Sequence, residues 1–185
     1  MKIFGIICEY NPFHNGHARQ LEFCRSNGAD LIFCAMSGDF TQRGEPAVLE
    51  KRIRAKHAVQ SGADLVAELP LPYAAAGAKD FAEGGVKLLE KMGCTHICFG
   101  SECGNISLLE KAAELIDSDS FNNSLKLHIK AGKSYPVSAE LAGEEYGGVL
   151  NAPNNILAVE YLRALKSVGS AMQPITLTRN TDYCS

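Results

Sequence analysis

Four short apolar runs in the first hundred residues constrain the fold more than any other feature of the sequence. They are Ile3–Cys8, Leu31–Ala35, Leu65–Leu69 and His96–Phe99. Each run is nearly continuous in apolar character, which is typical of parallel strands that are buried on both faces. Segments with helical periodicity separate the runs. The pattern therefore predicts an α/β fold with a central parallel sheet.

A repeated junction supports this interpretation. The stretches "NGADLIF", "SGADLVAEL" and "MGCTHICFG" place Gly28, Gly62 and Gly93 between a predicted helix and the next strand. Glycine is favoured just after a helix because it adopts the left-handed conformation at low cost. The spacing of about 30 residues matches strand–helix units joined by right-handed crossovers better than it matches a solenoid repeat.

The second half of the chain is mainly helical in pattern. Helices are predicted near 108–116, 121–131 and 154–168, and the stretch 135–151, rich in glycine and glutamate, is left unassigned. A fifth strand is predicted at Ile175–Leu177. We therefore expect a Rossmann-like, doubly wound parallel sheet of about five strands.

Composition narrows the class of protein. The chain has 185 residues, 46% of them hydrophobic, which suits one globular domain with a substantial core. The formal net charge is −3 and no long basic run occurs, so charge alone does not indicate a nucleic-acid partner. The start of the chain has no signal-peptide pattern and no run reaches transmembrane length, so we expect a cytoplasmic location and no membrane partner.

The seven cysteines do not indicate a metal centre. No Cys-x-x-Cys pair occurs, and the spacing of Cys94, Cys98 and Cys103 fits no zinc pattern. Cys8, Cys34, Cys94 and Cys98 lie in or beside apolar runs, where free thiols behave as small hydrophobic side chains. We expect buried thiols in a reducing environment and no protein-bound metal.

The stretch "GIICEYNPFHNGH" carries the first indication of chemistry. It places His14 and His17 around Asn15-Gly16, where the first strand ends and a helix begins. Ligands of open α/β sheets bind at that edge, and a helix N-terminus attracts anions. Two imidazoles there could stabilise charge on a phosphate as its α–β bond breaks. Two histidines that merely cap the helix are the alternative. Because Walker and G-x-G-x-x-G motifs are absent, this turn would have to bind the nucleotide.

The same residues resemble a known superfamily. "NPFHNGH" is similar to the H-x-G-H signature of the nucleotidyltransferases and class I aminoacyl-tRNA synthetases, the HIGH superfamily. Longer blocks extend the resemblance: "EYNPFHNGH", "MSGDFTQRGEPAVLEKRIRAKHAVQSGADLVAELPLPYA", "CFGSE" and "PNNILAVEYLRAL". Together they resemble the bacterial tRNA(Met) cytidine acetate ligase family over most of residues 1–179.

This resemblance implies a two-step reaction. ATP and acetate would give acetyl-adenylate and pyrophosphate, and the acetyl group would then pass to N4 of the wobble cytidine of elongator tRNA(Met). Mg²⁺ is expected to accompany ATP. Family members continue beyond the equivalent of Arg179 into a largely helical region, so by this resemblance we expect the chain to be either a fragment or a short relative without that region. We therefore expect residues 1–185 to form a nucleotidyltransferase-like, ATP-binding catalytic domain, with tRNA as the partner of the full-length protein.

The resemblance also implies a set of ATP-binding residues. They are Ile7, Cys8, Glu9, Tyr10, Asn11, Pro12, Phe13, His14, Asn15, Gly16, His17, Ala18, Arg19, Gln20, Gly100, Asn154 and Arg179. His14 and His17 are the expected catalytic residues, at the α-phosphate. Gly100 and Asn154 would hold the nucleoside, although Asn154 could instead be an ordinary helix N-cap. Arg179, after the fifth strand, could fork onto the β- and γ-phosphates or be solvated.

The loop "SGDFTQRGEPA" after the second strand is long for a strand-to-helix connection, and long loops at this edge are often functional. We expect it to shape the acetate or acceptor-base side of the site. Its candidate residues are Ser37, Gly38, Asp39, Gln42 and Arg43. Lys51, Arg52 and Arg54 open the next helix, and we interpret them as a solvated basic face, with phosphate contact as the alternative.

Two other functions share the histidine turn. A small-molecule nucleotidyltransferase would join a nucleoside monophosphate to a phosphorylated acceptor, and it would need a cationic acceptor pocket. A non-catalytic module would bind ATP without turnover. The sequence by itself leaves both open.

Overall fold

The computed structural model describes residues 1–143 and 147–179, and its elements alternate as the sequence pattern predicts. The strands are β1 Ile3–Cys8, β2 Leu31–Ser37, β3 Leu65–Leu69, β4 His96–Ser101 and β5 Gln173–Thr178. The helices are α1 Asn15–Ser26, α2 Lys51–Gln60, α3 Leu71–Ala74, α4 Ala78–Lys91, α5 Ile106–Ile116, α6 Asp119–Lys130, α7 Tyr135–Ala142, α8 Gly147–Leu150 and α9 Pro153–Val168.

The five strands form one sheet in the order β3-β2-β1-β4-β5, and every neighbouring pair is parallel. This confirms the predicted fold class and all five predicted strands. The order reverses direction at β1, which is the first strand of the chain and lies in the middle of the sheet. Such a reversal is the point at which open α/β sheets bind their ligands.

The sheet opens at this reversal. β1 pairs with β2 along its whole length, from Ile3 to Cys8, but it pairs with β4 only at Phe4 and Gly5. The carboxyl ends of β1 and β4 are therefore not joined by ladder hydrogen bonds. The gap between them supplies a crevice at the sheet edge, in the position where the sequence places the histidine turn.

Helices cover both faces of the sheet. One core joins Phe4 and Ile6 of β1 to Leu21 of α1 and Ala58 of α2. The other core packs residues of α4, α5 and α9 on the opposite face, with Leu89, Leu109 and Val159 fully or almost fully buried. The alternation of β1 side chains between these cores explains why its sequence is apolar at nearly every position.

The predictions for the glycine junctions and for the four cysteines in apolar runs are confirmed. Gly28, Gly62 and Gly93 have φ values of 85°, 115° and 77°, as predicted for residues that follow helices. Cys8, Cys34, Cys94 and Cys98 are buried free thiols, also as predicted. Within the unassigned stretch 135–151 the structure has the short helices α7 and α8. Among the described helices, none has the length and apolar character needed to cross a membrane.

The predicted basic face of α2 is wrong at one residue. Arg54 is fully buried and faces the sheet, whereas Arg52 is exposed. A buried guanidinium requires hydrogen-bond acceptors on all sides, and here backbone carbonyl groups supply them. Arg54 is therefore neither solvated nor available to phosphate.

Candidate active site

A cavity of about 460 Å³ opens at the carboxyl ends of β1 and β4. Its wall combines the end of β1, the turn into α1, the loop after β2 and parts of α4, α9 and the segment after β5. The lining residues are Ile7, Cys8, Glu9, Tyr10, Asn11, Pro12, His14, His17, Gln20, Thr41, Gln42, Arg43, Glu45, Phe81, Phe99, Gly100, Asn154, Leu157, Tyr161 and Arg179.

The two histidines cap the helix that follows them. Nδ1 of His14 accepts a hydrogen bond from the backbone N–H of Gly16 at 3.0 Å, and Nδ1 of His17 accepts one from the N–H of His14 at 3.3 Å. Both rings therefore accept at Nδ1, and we assign the proton of each neutral ring to Nε2. The cap leaves an Nε2–H donor on each ring for a ligand. Helix capping and ligand binding are thus compatible roles of the same two side chains.

The rings are held in place by aromatic neighbours. His14 and His17 stack with centroids 3.7 Å apart, and the ring of Tyr10 lies 4.8 Å from that of His17. Phe13 completes the group at 5.5 Å from His17. Tyr10 occupies the left-handed region with φ of 50°, which turns the chain sharply between β1 and α1. The sequence Tyr-Asn-Pro-Phe thus builds a support for the histidine pair.

The surroundings keep both imidazoles neutral. The pKa of His17 is lowered to about 3, chiefly by burial and also by the nearby His14 and Arg179. Burial and Arg179 also lower the pKa of His14. At neutral pH both rings are therefore uncharged donors. Positive potential comes instead from Arg179 and from the N-terminus of α1, whose first turn contains no acidic residue.

Gly16 is required by the geometry of the cap. A Cβ atom at this position would lie 2.8 Å from Cε1 of His14 and 3.0 Å from its Nδ1. A side chain would therefore displace the ring or break the hydrogen bond from the Gly16 N–H. The glycine keeps the histidine ring against the helix end.

A polar network forms the opposite wall. Glu102, just after β4, accepts hydrogen bonds from the backbone N–H of Asn155 at 2.8 Å and from Nδ2 of Asn154 at 2.7 Å. Oδ1 of Asn154 in turn accepts a bond from Nη1 of Arg179 at 2.6 Å. The network lies at the N-terminus of α9, where a carboxylate is favoured by the free N–H groups. Burial raises the pKa of Glu102, but the hydrogen bonds from Asn154 and Asn155 outweigh it and lower the pKa overall.

Asn154 is not the N-cap of α9, because Ala152 occupies that position. The alternative that Asn154 is an ordinary helix N-cap is therefore wrong. Its side chain instead connects Glu102 to Arg179. Gly100 has a related role, since a Cβ atom there would lie 2.5 Å from Cδ of Arg179. The missing side chain lets Arg179 lie across the end of β4 and reach the cavity.

The loop between β2 and α2 is fastened to the end of β1. The backbone N–H of Gln42 donates to Glu9 Oε1 at 2.6 Å, and the N–H of Val48 donates to Asn11 Oδ1 at 2.7 Å. Arg54 adds bonds from its guanidinium to the carbonyl oxygens of Glu9, Ser37, Gly38 and Leu49. The loop is thus a fixed wall of the cavity.

The structure brings most of the predicted residues into this one cavity. Twelve of the seventeen predicted ATP-binding residues line it, and so do two of the five loop residues, Gln42 and Arg43. The predicted ATP-binding residues outside the wall are Phe13, Asn15, Gly16, Ala18 and Arg19. Ser37 and Gly38 are buried acceptors for Arg54, and Asp39 pairs with Lys51 at 3.3 Å.

Several residues of the wall were not predicted. They are Phe81, Phe99, Leu157 and Tyr161, whereas Thr41 and Glu45 belong to the loop that was predicted to shape the site. A helical signal was present for two of them, since Leu157 and Tyr161 follow Asn154 at spacings of three and seven residues and so share its face of α9. Phe81 and Phe99 carry no comparable signal, because strands and helices of any α/β core contain such residues.

The described residues offer no metal centre of their own. Residues 1–143 and 147–179 contain no group of three or more His, Cys, Asp and Glu side chains that could hold a metal ion. Glu9 and Glu45 both line the cavity. However, one oxygen of Glu9 already accepts the N–H of Gln42.

The fold and the site together define a class of protein. A parallel sheet that opens beside a histidine-capped helix, with an arginine at the same cavity, is typical of nucleotide-binding α/β domains. Comparison with family models agrees: the model for the HIGH nucleotidyl transferases matches residues 1–185. The chain belongs to the HIGH nucleotidyl transferase family.

Individual relatives are more specific. The chain is 44% identical to the tRNA(Met) cytidine acetate ligase of Acetivibrio thermocellus, over 99% of this chain and 47% of that protein. It is 45% identical to the tRNA(Met) cytidine acetate ligase of Syntrophotalea carbinolica, over 97% of this chain and 45% of that protein. The chain thus spans about half the length of the curated relatives it matches.

A solved structure is similar over the whole of this chain. The crystal structure of Thermotoga maritima TmcAL bound with alpha-thio ATP superposes with a TM-score of 0.91 and 36% sequence identity. The match covers all of this chain and 48% of that chain. The apo structure of the same protein gives a TM-score of 0.90 over 97% of this chain.

Proposed function

We propose that this domain binds ATP and activates acetate as acetyl-adenylate, and that in the full-length protein the acetyl group passes to N4 of the wobble cytidine of elongator tRNA(Met). The observation that carries the proposal is the histidine cap. Two neutral rings, each with a free Nε2–H, lie at a helix N-terminus in the same cavity as Arg179. The relatives named as ligases and the relative bound with alpha-thio ATP support it.

The first step follows from this arrangement. A carboxylate oxygen of acetate attacks the α-phosphorus of ATP, the bond from that phosphorus to the bridging oxygen breaks, and pyrophosphate leaves with the bonding electrons. Negative charge grows on the phosphoryl oxygens and on the leaving group. His14 and His17 donate hydrogen bonds to the phosphoryl oxygens, and Arg179 binds the departing phosphates. These interactions strengthen as charge develops, so they favour the transition state.

In the second step the amine N4 of cytidine attacks the acetyl carbonyl carbon. AMP leaves with the bonding electrons and N4 loses a proton. This step needs a large polyanion held in position, and Lys and Arg contacts to phosphates supply such affinity. The chain has 18 Lys and Arg against 21 Asp and Glu. We assign tRNA binding, and a cytoplasmic location, to the full-length protein.

Magnesium fits the proposal as a companion of the nucleotide. Mg²⁺ keeps several water ligands and binds through one or two carboxylates together with substrate phosphates. Glu45 of the loop wall, whose carboxylate takes part in no ion pair among the described residues, would be the protein ligand. When bound, the ion would neutralise charge on the phosphates.

Exchange of labelled pyrophosphate into ATP tests the proposal. With acetate present, the domain should catalyse exchange, because acetyl-adenylate formation is reversible; without acetate, exchange should fall to background. Exchange that needs a phosphorylated small molecule instead of acetate would identify a different nucleotidyltransferase. ATP binding by calorimetry with no exchange under any condition would identify a non-catalytic module.

A further inference from the structure

Tyr161 of α9 is a buried residue of the cavity wall, and no described residue bonds to its hydroxyl. The residue is 5% exposed and lines the cavity. Its ring packs against Phe99 at a centroid distance of 5.6 Å. Within residues 1–143 and 147–179 no side chain or backbone group forms a hydrogen bond with this hydroxyl. A buried tyrosine hydroxyl usually finds a partner, so the open position indicates a ligand.

The surroundings of Tyr161 are the apolar part of the cavity. Phe81, Phe99, Leu157 and Ile7 are the apolar residues that line the cavity with Tyr161; Phe99 contacts its ring, and Leu157 lies one turn before it on α9. Phe81 belongs to helix α4, and a Cβ atom on Gly85 of the same helix would lie 2.4 Å from Cδ1 of Ile7. The contact shows how closely the helix backbone approaches β1. The apolar residues on the wall with Tyr161 therefore suit a short hydrocarbon group with one polar end.

We propose that Tyr161 and the apolar residues around it form the subsite for the carboxylic acid, with the Tyr161 hydroxyl donating a hydrogen bond to the carboxylate and with Phe81 and Leu157 enclosing its methyl group. This inference rests on the proposed function and adds to it a binding residue and a basis for selecting a short acid. Tyr161 lines the same cavity as the histidine cap, so an acid bound by its hydroxyl shares the cavity with the phosphate that the acid attacks.

The charges around Tyr161 are consistent with this role. Burial is the main cause that raises the pKa of the Tyr161 hydroxyl, and the negative charge of Glu9 adds to it. The hydroxyl therefore stays protonated at neutral pH and can donate. The carboxylate of Glu9 accepts the N–H of Gln42, so it is turned towards the loop. Arg179 lies close enough to oppose the rise in pKa, and its positive charge also favours a bound anion.

The test uses Tyr161→Phe, which keeps the ring against Phe99 and removes only the hydroxyl. Tyr73→Phe is the matched control, because Tyr73 is partly buried beside the same helix α4 but does not line the cavity. Acetate-dependent pyrophosphate exchange is measured with acetate and ATP varied in turn. We expect Tyr161→Phe to raise KM for acetate by roughly 10-fold or more, the usual effect of losing a hydrogen bond to a charged group.

KM for ATP should stay close to the parent value in both variants, and Tyr73→Phe should leave KM for acetate unchanged. A rise in KM for ATP alone would place Tyr161 in the nucleotide site and overturn the inference. An unchanged KM for acetate in Tyr161→Phe would overturn it as well, while the acetate-dependent exchange of the parent would still support the proposed function.

Saturation-transfer NMR on the acetate methyl group, with a non-hydrolysable ATP analogue present, gives a second readout that needs no turnover. The parent should show transfer and Tyr161→Phe should show less at the same acetate concentration. If the parent shows neither exchange nor transfer, the proposed function fails and this inference fails with it. If it shows transfer without exchange, the variant comparison still decides the role of Tyr161.

A size test addresses the apolar part of the subsite. Leu157→Ala should enlarge the space around the methyl group. The ratio of kcat/KM for propionate to that for acetate should therefore be roughly 10-fold higher in the variant than in the parent, which is the usual effect of one methylene in an apolar pocket. An unchanged ratio of propionate to acetate would show that Leu157 does not enclose the acid. The thermal stability of each variant is recorded alongside, so that a general loss of packing is recognised.

Discussion

The two polar walls of the cavity are built in opposite ways. The histidine wall comes from one continuous stretch, in which the end of β1, a turn and the first turn of α1 place His14 and His17 side by side. The opposite wall joins Glu102, Asn154 and Arg179, which follow or open three different elements. Local geometry determines the first wall, whereas packing of the whole sheet determines the second.

Each wall is also fixed by one charged side chain that binds backbone groups. Arg54 donates to carbonyl oxygens at the ends of β1 and β2. Glu102 accepts from N–H groups at the start of α9. Arg54 is fully buried and Glu102 only partly so. The comparison leads us to expect that the histidine wall depends more strongly on its single cation than the opposite wall depends on its single anion.

Replacement of Arg54 should have the largest effect on stability. Arg54→Leu removes donors from several buried carbonyl groups at once, and we expect the free energy of unfolding to fall by about 3 kcal/mol or more. Urea unfolding measures this loss. Arg52→Leu is the control, since it removes the same charge from an exposed position of the same helix. Equal losses in the two variants would show that Arg54 does not hold the wall together.

Replacement of the histidines should have the next largest effect, on catalysis. His14→Ala and His17→Ala should each lower acetate-dependent exchange by roughly 10²-fold or more, as loss of one transition-state donor does in other enzymes. ATP affinity should change less. His128→Ala, on α6 and away from the cavity, is the control.

One further variant separates the two roles of His14. His14→Asn keeps a side chain that caps helices well but removes the ring Nε2–H. We expect it to retain the stability of the parent and still lose about two orders of magnitude in exchange. If His14→Asn keeps near-normal activity, the cap alone explains the presence of this histidine and its catalytic role is refuted.

The same contrast explains what could be predicted from the sequence. The fold was predictable because continuous apolar strands, helical periodicity and glycine junctions all indicate a parallel sheet. The histidine wall was predictable because its residues are adjacent in the chain. Gly100, Asn154 and Arg179 came only from a family resemblance, since no local pattern shows that Asn154 binds Arg179. Arg54 was misread because its neighbours Lys51 and Arg52 made a basic face the simplest interpretation.

Stability should also depend on pH through the histidine wall. The pKa of His17 is lowered to about 3 in the folded chain. Between about pH 6.5 and pH 3 this histidine is therefore protonated in the unfolded chain but neutral in the folded chain. Stability from this cause is complete above about pH 6.5 and is lost as pH falls from there towards 3. We expect the parent to lose on the order of 1–2 kcal/mol more than His17→Gln between pH 7 and pH 5. Urea unfolding at both pH values measures the difference, and parallel pH profiles would contradict the assignment.

Replacement of Glu102 should have the smallest effect on stability. Glu102→Ala removes the acceptor for the N–H groups of Asn154 and Asn155, and loss of such a capping interaction costs about 1 kcal/mol. Glu110→Ala, at an exposed position of α5, is the control for loss of the charge.

The same variant should weaken ATP binding several-fold by calorimetry, because Asn154 would no longer be held in position for Arg179. If the two residues are independent, Arg179→Leu should weaken ATP binding by about the same factor with Glu102 present or absent. If Glu102 acts through that contact, Arg179→Leu should have a smaller effect in the Glu102→Ala background. Full additivity of the two changes would therefore mean that the opposite wall is not one network, and that the contrast between its long-range assembly and the local histidine turn is weaker than the hydrogen bonds indicate.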